Sequence, residues 1–336
     1  MRAVDTPDTW SVRTGRGPGS PPADQRSEPL PAKTQARRGP SPVVAPTELR
    51  GGPVATRIRE AVDERVRALN EAGVTPTLGT VMATDAPGAA QYMDLKHEAC
   101  AERGIATKGR RLAPDASPDT VYETVERLSD DESVDAVFVQ TPLPDGLDAA
   151  AVGRRLDPET DVDCFHPANL GRLVGGDPRF APATTAAVVR LLDHYGVRTA
   201  GRHAVVVGRS RAIGRPLTNR LLWHATSGNA TVTVCHSRTA DLGAVTRRAD
   251  VLVTAAGEPG LVDGSMLSPD VVVLDVSANR RPDGEVVGDV DAESARSKAS
   301  ASTPVPGGVG PVTLAALLDN VVTAAELRRP VEGRRD

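Results

Sequence analysis

Apolar residues along the chain alternate between two spacings. Ile58, Val62, Val66 and Leu69 lie on one face of a helix entered near Thr47. Residues 77–82 read as a strand, 92–103 as a helix ended by Gly104, and 120–128 as another helix. The apolar run 134–140 has the character of a parallel strand buried on both faces. A second block opens with a helix over 186–195 and a strand over 204–207. It continues with a helix from about Pro216, strands at 230–235, 251–254 and 271–275, and a closing helix over 314–327. Strand and helix alternate throughout, which predicts an α/β fold with parallel sheets. The second block has the spacing of a small dinucleotide-binding sheet.

Residues 1–46 break this pattern. They hold nine of the 28 prolines, seven basic and four acidic residues, and no periodic apolar face, so a disordered tail is expected. Its prolines and acids oppose an amphipathic targeting helix. The remainder of the 336-residue chain suits two domains, 47–184 (completed by 304–330) and 185–303. With only 2% aromatic residues, the core must be built from Val, Leu and Ala. No apolar run approaches the roughly 18 residues a membrane helix needs, so a soluble protein without a membrane partner is expected. Cys100, Cys164 and Cys235 are far apart, which argues against a disulfide framework or a structural metal and fits a reduced, cytoplasmic compartment. A net charge of −4 and the scarcity of aromatics argue against nucleic-acid binding. Of 40 basic residues only Lys33, Lys96, Lys108 and Lys298 are lysines, so a lysine within a motif stands out.

The strand 204–207 runs into Gly208, Arg209, Ser210, Arg211, Ala212, Ile213, Gly214, Arg215 and Pro216. A strand ending in glycine and feeding a helix presents backbone N–H groups and the positive end of the helix dipole to a pyrophosphate. Gly208 permits the tight turn and Gly214 close helix–strand packing, while Ser210 takes the middle position of the usual glycine pattern. An ordinary strand-to-helix turn has the same outline. The next strand ends in Cys235, His236, Ser237, Arg238 and Thr239, with no acid to accept from a ribose 2′-hydroxyl. Together with Arg209, Ser237 and Arg238 favour a 2′-phosphate, hence NADP.

Tyr92 and Lys96 are four apart and share a helix face. A Tyr-x-x-x-Lys pair beside a dinucleotide fold suggests short-chain dehydrogenases, but there the glycine loop precedes the pair, and here it follows. Further segments stand in order: Val139 to Pro144 (Val-Gln-Thr-Pro-Leu-Pro), Asp161 to Pro167 (Asp-Val-Asp-Cys-Phe-His-Pro), Gly208 to Pro216, and Thr303 to Thr313 (Thr-Pro-Val-Pro-Gly-Gly-Val-Gly-Pro-Val-Thr). With Tyr92 and Lys96, they make residues 47–327 resemble the bifunctional methylenetetrahydrofolate dehydrogenase/cyclohydrolase family.

The resemblance implies two α/β domains around a cleft, with a Rossmann-like NADP-binding domain and a C-terminal helix returning to the first domain. It implies oxidation of 5,10-methylenetetrahydrofolate to the methenyl compound with NADP, and hydrolysis to 10-formyltetrahydrofolate. The setting would be one-carbon metabolism feeding purine biosynthesis, and the assembly a homodimer. Tyr92 would stack on the folate, Lys96 would be the catalytic lysine, Gln140 would tune it and Asp163 would hold the pterin. Pro306, Gly307 and Gly308 would let the backbone approach folate and nicotinamide. Taken singly, Lys96 reads as a solvated helix residue, Tyr92 as a core-edge ring, Gln140 as a strand-end hydrogen bonder and Asp163 as a turn former. Alternatives are a dehydrogenase of another small substrate and a non-catalytic NADP- or folate-binding paralogue. Four positions depart from the family pattern: Ala89 stands for a serine, Cys164 for a glycine, Ala183 for a cysteine and Ser277 for a glycine.

Overall fold

The computed structural model describes residues 46–329. The expected tail, 1–46, lies outside the described residues except for Pro46. In chain order the elements are β1 (Thr47–Glu48), α1 (Gly51–Glu71), β2 (Thr77–Met82), α2 (Pro87–Ala101), β3 (Ala106–Arg111), α3 (Pro118–Ser129), β4 (Ala136–Val139), α4 (Ala149–Arg154), α5 (Pro167–Gly175) and α6 (Ala183–His194). They continue with β5 (His203–Val207), α7 (Gly214–Leu221), β6 (Thr231–Cys235), α8 (Leu242–Thr246), β7 (Val251–Thr254), β8 (Val271–Asp275), β9 (Asn279–Arg280), β10 (Val286–Val287), α9 (Ala292–Ala295), β11 (Ala299–Ser302) and α10 (Val309–Arg328).

Two parallel sheets carry the fold. The smaller has the order β3-β2-β4, and the six-stranded sheet runs β1-β11-β8-β7-β5-β6. Valine-rich β5 and β7 are buried along almost their whole length, as strands covered on both faces must be. β3 escaped the apolar pattern because it is an edge strand carrying the half-buried Lys108 and the exposed Arg110 and Arg111, a charged composition that disfavours pairing with other edges. β1 also changes the picture. The boundary expected at residue 47 assigns Thr47 and Glu48 to the first domain, whereas the strand they form pairs with β11 of the six-stranded sheet.

The long helices stitch the two halves together. α1 puts Val54 and Ala55 into the core around β5 and β7, then Val62, Val66 and Leu69 into the core around β2. α10 does the same with Val309, Val312 and Ala315 at its start and Leu317, Leu318, Val321 and Val322 further on. Burying a leucine or valine of this kind contributes about 1.5–3 kcal/mol. The end of α10 is tied to the small sheet: Arg329 Nε donates to Oδ1 of the fully buried Asp135 at 2.6 Å, and Asp135 Oδ2 accepts from Thr77 N at 2.9 Å. The C-terminal helix therefore returns to the first half, as expected, but begins at Val309 rather than at 314. Among the described residues no helix is long and apolar enough to cross a membrane, and the three cysteines are free and buried.

Candidate active site

Helix α2 presents Tyr92 and Lys96 toward β4. Lys96 is only 1% exposed, which excludes its reading as a solvated helix residue. Its Nζ donates to Gln140 Oε1 at 2.9 Å and lies 3.7 Å from the Tyr92 ring centre and 4.3 Å from that of Phe138. Phe138 was not legible as a site residue. The usable signal was period two: it lies two positions before Gln140, on the same side of the strand run. The Gln140 amide donates to Thr141 O at 2.5 Å, which turns its oxygen toward the amine. Burial pushes the Lys96 amine down to about 7, against the opposing pull of Asp163.

Asp163 faces the same place from the loop between α4 and α5. Its Oδ1 accepts from Ala183 N at 3.0 Å, and burial pushes its carboxyl up to about 7, with Asp161 acting in the same direction and Lys96 against it. The structure thus brings Tyr92, Lys96, Gln140 and Asp163 into one cluster. Burial raises the Tyr92 phenol as well, so it stays un-ionised. The loop itself is held by Asp161, whose carboxylate accepts from Phe165 N at 2.9 Å, His166 N at 2.8 Å and Asn169 Nδ2 at 2.9 Å.

The departures from the family pattern have local explanations. Cys164 adopts φ 57°, the left-handed region that favours glycine, and its thiol donates to Phe180 O at 2.9 Å. Ala183 serves Asp163 through its backbone, so the side-chain change leaves that bond intact. Ala89 packs with Met82 and Met93. Ser277 Oγ donates to Asp289 Oδ2 at 2.7 Å. Asp289 is fully buried and also accepts from Ala256 N, Glu258 N and Asn279 Nδ2, knitting the loops after β7 and β8.

On the nucleotide side, Gly208 has φ 126°, and a Cβ there would lie 2.4 Å from Ala255 O; a Cβ on Gly214 would lie 2.2 Å from Gly208 O. Both glycines are therefore required by close backbone packing, which brings the start of α7 against the end of β5 in the tight turn that a dinucleotide loop needs. Ser210 Oγ accepts from Ile213 N at 3.1 Å and Gly214 N at 3.3 Å, so two N–H groups expected to be free are already engaged. Val207 pairs with Cys235, which puts the exposed Arg209 beside the exposed Ser237 and Arg238 at neighbouring strand ends. The turn carrying them is fixed by Arg238 N donating to His236 Nδ1 at 3.1 Å. Pro306 and Gly307 are exposed, whereas Gly308 is buried where a Cβ would lie 2.6 Å from Pro304 O. Gly308 thus packs backbone rather than lining the cleft.

Fold and site define a two-domain, dinucleotide-dependent oxidoreductase with a buried lysine beside a carboxylate. A model of the tetrahydrofolate dehydrogenase/cyclohydrolase catalytic domain matches residues 49–163, and a model of the NAD(P)-binding domain of the same enzymes matches residues 182–329. The chain belongs to the tetrahydrofolate dehydrogenase/cyclohydrolase family. It is 50% identical over 280 residues to the bifunctional protein FolD of Halobacterium salinarum, covering 82% of this chain and 94% of that protein. The FolD of Bordetella bronchiseptica is 45% identical over 276 residues, covering 82% and 96%. Among solved structures, the bifunctional FolD methylenetetrahydrofolate dehydrogenase/cyclohydrolase from Campylobacter jejuni has a TM-score of 0.79 at 38% identity, covering 84% of this chain and 100% of that one. The FolD of Trypanosoma brucei, complexed with NADP cofactor and an inhibitor, has a TM-score of 0.79 at 34% identity, covering 84% and 98%.

Proposed function

We propose that the protein oxidises 5,10-methylenetetrahydrofolate to 5,10-methenyltetrahydrofolate with NADP and hydrolyses the product to 10-formyltetrahydrofolate. The observation that carries the reading is Lys96, a desolvated amine held by Gln140 between two aromatic rings and beside Asp163. Family membership supports the folate substrate over another small molecule or a non-catalytic role.

NADP supplies the hydride acceptor for the first step. Gly208 and Gly214 keep the turn between β5 and α7 tight enough to receive its pyrophosphate at the start of α7, and Arg209, Ser237 and Arg238 offer charge and donors to its 2′-phosphate. Tyr92 stacks on the folate ring system. Asp163, once ionised, accepts from the N–H groups of the pterin edge. In the hydrolysis, water adds to the methenyl carbon and gives up one proton, and the carbon–N5 bond then breaks as the remaining hydroxyl proton passes to N5, leaving the formyl group on N10. Lys96, pushed down to about 7, is neutral often enough at physiological pH to take the first proton, and Gln140 Oε1 holds the amine in place. We further propose a cytoplasmic homodimer.

The test is direct. Purified protein given methylenetetrahydrofolate should reduce NADP faster than NAD, and absence of any absorbance change with both would overturn the dehydrogenase assignment. Lys96→Ala should lose cyclohydrolase turnover by about 100-fold or more while NADP still binds. Retained turnover would remove Lys96 from the chemistry.

A further inference from the structure

Two arginines of the nucleotide half reach across to the folate half, and each lands beside a residue of the lysine cluster. Arg280 on β9 donates from Nη2 to Gln91 Oε1 at 2.6 Å, and Gln91 is the residue before Tyr92 on α2. Arg211, in the loop between β5 and α7, donates from Nη2 to Phe165 O at 3.3 Å, two residues past Asp163. Both landing points are stiff. Phe165 N and His166 N are held by the Asp161 carboxylate, and Gln91 lies within a 15-residue helix. Both take-off points are stiff as well. Asn279, next to Arg280, is bonded to the buried Asp289, and Arg211 sits inside the turn closed by Ser210.

Arg211 also keeps its Nε buried without a hydrogen-bond partner among the described residues. An unmade buried donor costs stability, so the side chain is not explained by stability alone.

We infer that Arg211 and Arg280 are positioning residues that set the spacing between the two halves for hydride transfer. The inference rests on the function proposed above. Hydride transfer needs a folate carbon held by one half and a nicotinamide held by the other, so its rate depends steeply on how the halves are fixed. Hydrolysis needs only water and the Lys96 cluster, all within the folate half. The bridges therefore serve one activity and not the other, and they set the ratio of the two.

The experiment compares Arg211→Gln, Arg280→Ala and Gln91→Ala with the unchanged full chain, measuring both activities at saturating substrate and NADP affinity by fluorescence titration. Each variant should lower dehydrogenase kcat by about 5- to 30-fold while cyclohydrolase kcat stays within about 2-fold. Gln91→Ala combined with Arg280→Ala should be no worse than either alone, because both remove one contact. Equal loss of both activities, no loss of either, or additive effects of Gln91→Ala and Arg280→Ala would overturn the inference. An unchanged chain lacking both activities would instead overturn the proposed function.

Discussion

The Lys96 amine is lowered because its charged form has lost water, a loss that a neutral amide, two ring faces and the opposing pull of Asp163 do not offset. That has a stability consequence whose sign follows from proton counting. The folded value of about 7 lies below the ordinary value of 10.5, so between these pH values the unfolded chain binds the extra proton and stability rises with pH. Below about pH 7 both states are protonated and the full penalty is present. Lys96→Met, similar in length and apolar, should therefore stabilise the protein by about 1–3 kcal/mol at pH 6, with the advantage shrinking toward pH 10. Urea unfolding at the two pH values checks it, and an advantage that grows with pH would contradict the desolvation account. Asp163 runs the other way, since its raised carboxyl favours the folded state at low pH and loses that contribution as pH rises from about 4 through 7.

At the scale of elements, the meeting of α1 with the start of α10 governs the loop 304–308. Gly51 N donates to Gly307 O at 2.8 Å, and a Cβ on Gly51 would lie 1.9 Å from Gly308 O. Backbone fills that space, so no side-chain rotation relieves the clash. Gly51→Ala should cost about 2–4 kcal/mol and weaken folate binding more than NADP binding, measured by thermal unfolding and ligand titration. Gly52, one position on, has open space around its Cβ, so Gly52→Ala is the control. The same element scale shows where sequence reading succeeds. The strands β2, β7 and β8 were legible to the residue because both faces are buried, while β1, β9 and β10 span two residues each and leave no periodic trace. The closing helix, expected over 314–327, takes in the last residues of the motif 303–313 as its first turns.

For the whole molecule, the decisive feature is that α1, α6 and α10 each contribute to both main cores. Arg65 on α1 reinforces this: it donates to Asp319 at 2.5 Å and grips Glu326 with Nε at 3.1 Å and Nη2 at 2.7 Å, while Arg190 on α6 donates to Asp319 at 2.5 Å. The partly buried geometry makes the network worth more than a surface pair. Arg65→Ala should lower stability by about 2–4 kcal/mol while leaving one calorimetric transition, because the shared helices prevent the halves from unfolding apart. Two separated transitions would show that the halves melt independently.

The chemistry of this chain was written into its residue order. The alternation of strand and helix, Tyr92 and Lys96 four apart and the Gly208–Gly214 spacing point to α/β architecture, a shared helix face and a dinucleotide, because local spacing fixes which side chains share a face or turn, while folate enters through the family resemblance that the ordered segments through Thr313 carry. The environment was not. Whether Lys96 is solvated or stripped of water, whether Phe138 caps it, whether Gly308 lines the cleft or packs backbone, and which arginines cross between the halves depend on contacts between residues far apart in the chain. Desolvation and distance act through space, and only the packed fold brings those residues within their reach.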